Sequence, residues 1–123
     1  MTDWRAVGIG FLVGVVAGLI AFAVPLIGHI GAGLVGGFAA GYVACSDGRG
    51  GIGRGAWHGL LAGAIGGVVL AVLFAVLVLF AGVLIGGPAG VLGGATVFVG
   101  GIVIAFVLAL DSAIGGAVGA LVA

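Results

Sequence analysis

Charge is what this chain has least of: Arg5, Arg49, Arg54, Asp3, Asp47 and Asp111 are the only charged side chains among 123 residues, and they cancel. A soluble domain needs a polar surface, and six charges with a mean hydropathy of +1.61 do not supply one. Lipid is therefore the expected solvent for most of the chain. A net charge of zero also removes the basic field that would attract nucleic acid and the acidic tail that would recruit a basic partner. Cysteine is nearly missing too. Cys45, standing alone, cannot form an internal disulfide; it reads as a small packing residue and leaves the redox compartment open. The N-terminus has little charge and no small-residue cleavage site followed by a polar chain, so an uncleaved first helix is expected rather than a secretory signal.

What the chain does have is apolar length and glycine: 64% of its residues are hydrophobic and 30 are glycine. Unpaired backbone groups in hydrocarbon cost several kcal/mol each, so spans must be helices or a closed barrel, and these runs are too long and too uniform for barrel strands. The expected fold is a single all-α transmembrane domain over residues 1–123, a four-helix bundle in which each span uses about 20 residues to cross roughly 30 Å. Three breaks divide the runs. Proline, present only twice, marks two of them at Pro25 and at Gly86-Gly87-Pro88; the third is the polar stretch 45–55, which holds half of the charges. These breaks predict helices over about 5–24, 27–44, 56–84 and 89–121.

Arginine retained on the cytoplasmic side then sets orientation. Arg5 precedes helix 1, while Arg49 and Arg54 join helices 2 and 3, so both termini are expected in the cytoplasm and the chain in the plasma membrane as a multi-pass protein. Trp4, Tyr42 and Trp57 fall on that same face, where amphipathic rings favour the headgroup layer. A weak repeat, Trp4-Arg5 against Trp57-His58 and Gly33-Leu-Val-Gly-Gly37 against Gly90-Val-Leu-Gly-Gly94, leaves open two tandem hairpins or chance similarity in a biased composition.

The glycines form rows four residues apart: Gly10, Gly14 and Gly18 on helix 1, Gly33, Gly37 and Gly41 on helix 2, and Gly59, Gly63 and Gly67 on helix 3, the last row approached through Gly55. Such rows share one helix face and let a second backbone come close, which predicts glycine-zipper packing within the chain and homo-oligomer contacts. A glycine-lined pore is the competing reading. Gly31-Ala-Gly33-Leu-Val-Gly36 matches a dinucleotide fingerprint in letters only, because it lies inside a span and Ala56 stands where the acidic residue belongs. Gly48 to Gly55, with Arg49 and Arg54, and Arg5 near it, can contact a lipid phosphate, although a solvated connector that fixes topology is the simpler reading.

Asp111 carries the most chemical potential. If helix 4 runs on to about Leu121, this carboxylate is buried in the bilayer near Gly63 to Gly67 and marks an ion or proton site; if helix 4 stops at Leu110, it is an interfacial terminus neutralised by Arg5, Arg54 or His58. His29 and His58 fall on opposite faces, neither with a Cys, Asp or Glu at ligand spacing, so no metal site is expected, and His58 is expected to snorkel to the interface. Cys45, Ser46, Thr96 and Ser112 have no base at a usable position, which argues against an enzyme, and no cofactor is implied.

Trp4, Pro25, Gly36-Gly-Phe-Ala-Ala-Gly-Tyr42 and Gly55-Ala-Trp-His-Gly59 resemble the recurring features of a family of small archaeal membrane proteins of unknown function, common in halophilic archaea. The resemblance implies four helices and an archaeal plasma membrane, and no chemistry. Helix 1 lacks the glutamate of small multidrug transporters, and the alternate-residue glycine spacing of rotary-synthase proteolipids is missing. The expected function is a structural, assembly or accessory role exercised through glycine faces in a membrane complex. The alternative is a small channel or transporter with Asp111 on its path.

Overall fold

The computed structural model describes residues 1–21, 27–48 and 50–123, with only the backbone given for 27–30 and 86. Four α-helices make up the described chain: α1 (Trp4–Ala21), α2 (Ile27–Cys45), α3 (Ile52–Gly86) and α4 (Ala89–Leu121). The end of helix 1 expected at 22–24 and the turn at Pro25 lie outside the described residues. By length and composition, α1, α3 and α4 are each long and apolar enough to cross a membrane, and the described part of α2, Gly31–Cys45, is a shorter apolar helix.

The polar connector is shorter than the expected 45–55. Helix α3 begins at Ile52, capped by the extended backbone of Gly51 with no side-chain cap, so Gly53, Arg54 and Gly55 belong to its first turn. Three glycines in five residues read as loop because glycine costs about 1 kcal/mol in a helix relative to alanine. Packing outweighs that cost: a Cβ on Gly55 would collide with the Gly116 carbonyl and Ala120 of α4, so the helix starts early against a neighbour that requires a bare backbone. Gly48, at φ +70°, takes the left-handed turn that ends α2. At the other end, Gly87 (φ +58°) lets its N–H close on the Val83 carbonyl, and Pro88, lacking a donor, stands just before α4.

Among the described residues, α2 and α3 form the short diagonal of a rhombus. Each touches all three other helices, while α1 and α4 occupy the far corners and do not meet. Helices α3 and α4 pair antiparallel from end to end, through Gly55 with Gly116, Gly63 with Ala109, Gly67 with Ala105, Ala71 with Gly101, and Gly82 with Gly90. Helix α2 runs parallel to α4, Gly37 lying on Ser112 and Gly41 on Gly116, and antiparallel to α1, where Gly10 and Gly14 meet Gly36.

Small residues make the core. Ala6, Val7, Ala40, Ala44, Cys45, Ala62, Ala71, Ala105 and Ala109 are buried, and most cluster at the end that carries Trp4, Cys45, Ile52 and Leu121. At the opposite end, among the described residues, α3 and α4 extend beyond α1. With 35 and 33 residues they are about 50 Å long at 1.5 Å per residue, against about 27 Å for the 18 residues of α1. Leu73, Leu77, Phe80 and Leu84 on α3, and Leu92, Val99, Val103 and Phe106 on α4, are each more than half exposed. A surface of that kind belongs in hydrocarbon.

Candidate functional site

The polar atoms of the fold gather in two places. The first is the join between α1 and α3. Asp3 precedes α1 and its Oδ1 accepts the backbone N–H of Arg5 at 2.9 Å and of Ala6 at 3.3 Å, satisfying two of the free donors at the helix start. Its own N–H donates to Nε2 of His58 at 2.8 Å, 55 residues away. The other ring nitrogen, Nδ1, lies 2.7 Å from the Arg54 carbonyl oxygen. An N–H can only donate and a carbonyl can only accept, so these partners fix His58 as the neutral imidazole protonated at Nδ1. The ring is 1% exposed, which corrects the expectation that it snorkels outward: Trp57 holds the exposed position beside it, and its Nε1–H donates to Thr2 Oγ1 at 3.2 Å. A buried imidazole needs both nitrogens engaged, and the second partner comes from a backbone that sequence spacing cannot reveal.

Arg54, one turn earlier, pairs with Asp47 at 3.6 Å, and its Nε is buried with no hydrogen-bond partner among the described residues. Arg5 is exposed, and Arg49 lies outside the described residues. Trp4, Tyr42 and Trp57 are all exposed at this same end.

The second place is the middle of the α2, α3 and α4 contact. Ser112, 1% exposed, donates to the Gly59 carbonyl oxygen at 2.8 Å. Beside it Asp111 sits inside a continuous helix, ten residues before its end at Leu121, or about 15 Å along the axis. Helix 4 therefore does not stop at Leu110. The neighbour is also different from the one expected: a Cβ added to Gly33 of α2 would lie 3.8 Å from the Asp111 Cβ, whereas Gly63 and Gly67 of α3 are covered by Ser112, Ala109 and Ala105. The two residues are adjacent in sequence and 100° apart on the helix, so Ser112 takes the α3 side and Asp111 the α2 side. Among the described residues Asp111 has no hydrogen bond or ion pair, and it is half-buried.

The glycine rows differ in how tightly they are held. A Cβ at Gly10, Gly37, Gly41, Gly59, Gly63 or Gly67 would strike a neighbouring helix; Gly14 and Gly33 are in ordinary contact, and Gly18 only approaches Ala32. A fourth row was missed on α4, where Gly101, Ala105, Ala109, Ser112 and Gly116 follow one another at spacings of four, four, three and four, with Gly115 and Gly119 turned onto Leu34 and Phe38 of α2. The signal was there as small residues in general, not glycine every fourth position.

Two open apolar grooves cross the surface. One of 410 Å³ lies between α1 and α2 around Val16 and Val35, and one of 270 Å³ lies between α2 and α4 around Phe38 and Gly115. Neither is lined by a polar side chain. Among the described residues no three His, Cys, Asp or Glu side chains gather as metal ligands, and the side chain of His29 lies outside them.

No curated protein and no solved structure matches the chain. A family model does, over residues 4–122, which span all four helices, and the chain belongs to that family, a family of unknown function (DUF5518).

Proposed function

We propose that the chain is a four-span integral protein of an archaeal plasma membrane, with both termini cytoplasmic, that serves as a non-enzymatic structural or accessory subunit and works as a homo-oligomer through glycine-zipper contacts. One observation carries the reading. Helices α3 and α4 are each about 50 Å long, the described part of α1 flanks them for about 27 Å, and, apart from Arg54 and His58 near the start of α3 and Asp111 on α4, their outward faces are bare Leu, Val and Phe. A hydrocarbon core is about 30 Å thick and helix tilt rarely exceeds about 40°, which accommodates about 40 Å of a helix this long. Further copies of the chain would cover the excess. Close backbone approach at Gly37, Gly41 and Gly82 supports the packing mode.

The test is the mass of the particle in nanodiscs at low protein-to-lipid ratio, read by native mass spectrometry. A discrete multimer is expected. A monomer at every ratio, with no copurifying membrane protein, would sink the reading.

Asp111 supports the second reading, a small ion or proton channel or transporter, because a carboxylate about 15 Å inside a helix, with no partner among the described residues, is rare unless it handles an ion. The apolar lining of both grooves weighs against a path within one chain. Asp111→Asn in liposomes separates the two. Loss of proton or ion flux favours transport; no flux in either form, with the multimer unchanged, favours assembly.

A further inference from the structure

We propose that His58 is a proton-operated latch: neutral, it ties the N-terminal segment to α3, and on taking a proton it lets that segment go. The hydrogen-bond geometry carries this. The ring is 1% exposed and has two contacts, donating from Nδ1 to the Arg54 carbonyl at 2.7 Å and accepting at Nε2 from the Asp3 N–H at 2.8 Å. A proton can add only at Nε2. There it removes the lone pair that holds Asp3 and sets N–H against N–H, so the bond does not weaken; it ceases to exist.

The segment it holds is a single unit with the start of α1. Asp3 accepts the Arg5 and Ala6 N–H groups through Oδ1 and the Val7 N–H through its carbonyl at 3.2 Å, while Thr2 receives the Trp57 indole N–H. The residue that His58 holds carries a carboxylate of its own, to which an imidazolium would be attracted. Turning that carboxylate toward His58 strips the cap from Arg5 and Ala6. Either route opens the start of α1.

Among the described residues the other ionisable groups around this join do not supply an alternative. From α1 come Asp3, exposed Arg5 and the Met1 amine; from α2, the buried Cys45 thiol; from the connector, Asp47, whose carboxylate is 3.6 Å from Arg54 of α3 itself. On α4 the one ionisable residue, Asp111, packs on Gly33 instead.

Two substitutions bracket the states. His58→Gln places an amide oxygen near the Nε2 position, where it accepts the Asp3 N–H at any pH; His58→Asn keeps a donor for the Arg54 carbonyl but does not reach Asp3. The full chain in nanodiscs, isotopically labelled, is followed by NMR from pH 8 to 5. In the native chain His58 is expected to pass from the Nδ1–H tautomer to imidazolium as the Asp3 amide loses about tenfold or more of its hydrogen-exchange protection, corrected for intrinsic rates. His58→Gln keeps the protection at both pH values and His58→Asn lacks it at both. The proposal is overturned if His58 stays neutral to pH 5, or if it takes a proton while Asp3 remains protected. It is equally overturned if the Gln variant, which retains the Met1 amine, shows the same loss. Should either variant not fold, the titration of the native chain decides alone.

Discussion

The Ser112 hydroxyl donates to the Gly59 carbonyl oxygen across 2.8 Å, joining α4 to α3 at a point where both helices are bare backbone or small side chains. That carbonyl also accepts within its own helix, so the hydroxyl adds a second bond and its removal leaves no orphaned acceptor. The bond is possible only because Gly63, whose Cβ would meet the Ser112 side chain, has none.

Replacing Ser112 by Ala should therefore destabilise the bundle only modestly, by about 0.6 kcal/mol and at most about 1.7, the range found for hydrogen bonds between membrane helices. Ser112→Val adds a methyl toward Gly63 and should cost more than Ala does, which a pure hydrogen-bond account does not predict. Reversible unfolding of the reconstituted chain under each substitution measures both.

Glycine to alanine divides the glycines into two groups. At Gly37 and Gly41 the new Cβ would run into the Ser112 and Gly116 carbonyls of a rigid helix, so α2 and α4 must separate, at about 1–3 kcal/mol or more each. At Gly8 and Gly100 nothing lies within 4 Å, and alanine there should be neutral or stabilising by up to about 1 kcal/mol through better helix propensity. Equal effects in both groups would mean the rows are not packing surfaces.

Composition made the four helices and their apolar surroundings legible, because glycine and proline at Gly86-Gly87-Pro88 and the charges of the connector are the places where apolar runs must break. The start of α3 was hidden for the same reason: Gly53 and Gly55 look like connector until Gly116 and Ala120 are seen to need Gly55 bare. The small-residue face of α4 escaped because Ala and Ser alternate with Gly at mixed spacings. His58 escaped because its burial depends on a backbone N–H 55 residues away, a pairing that no local pattern encodes. Asp111 stood out as the one acid far from a helix end, yet its neighbour depends on a rotation of α4 that places Ser112, not Asp111, toward α3.

Cys45 should be nearly inert. It is 2% exposed, packed with Ala6 and Ala44, and faces the Gly51 carbonyl at 3.9 Å, so a thiol reagent has no approach while the end of α2 is folded. Its alkylation should run about tenfold or more slower than that of a cysteine introduced at exposed Ser46 in a Cys45→Ala background. Gly50 closes the site, since a Cβ there would strike the Cys45 side chain; Gly50→Ala should speed the alkylation by loosening the connector.

Orientation yields the last prediction. Trp4, Cys45, Ile52 and Leu121 lie at one end of the bundle and the Gly87 turn at the other, so the first end carries both described arginines, Arg5 and Arg54. Arginine close to a span end resists translocation, and the turn at Gly86-Gly87-Pro88 offers no charge to oppose it. In a Cys45→Ala background, single cysteines at Ser46, Leu121 and Ala89 are treated on intact cells with a membrane-impermeant maleimide. Ala89→Cys should react outside, while Ser46→Cys and Leu121→Cys react only after the membrane is opened. Reaction of Ser46→Cys from outside would invert the topology, and reaction of Ser46→Cys and Ala89→Cys from the same side would rule out α3 as a single crossing.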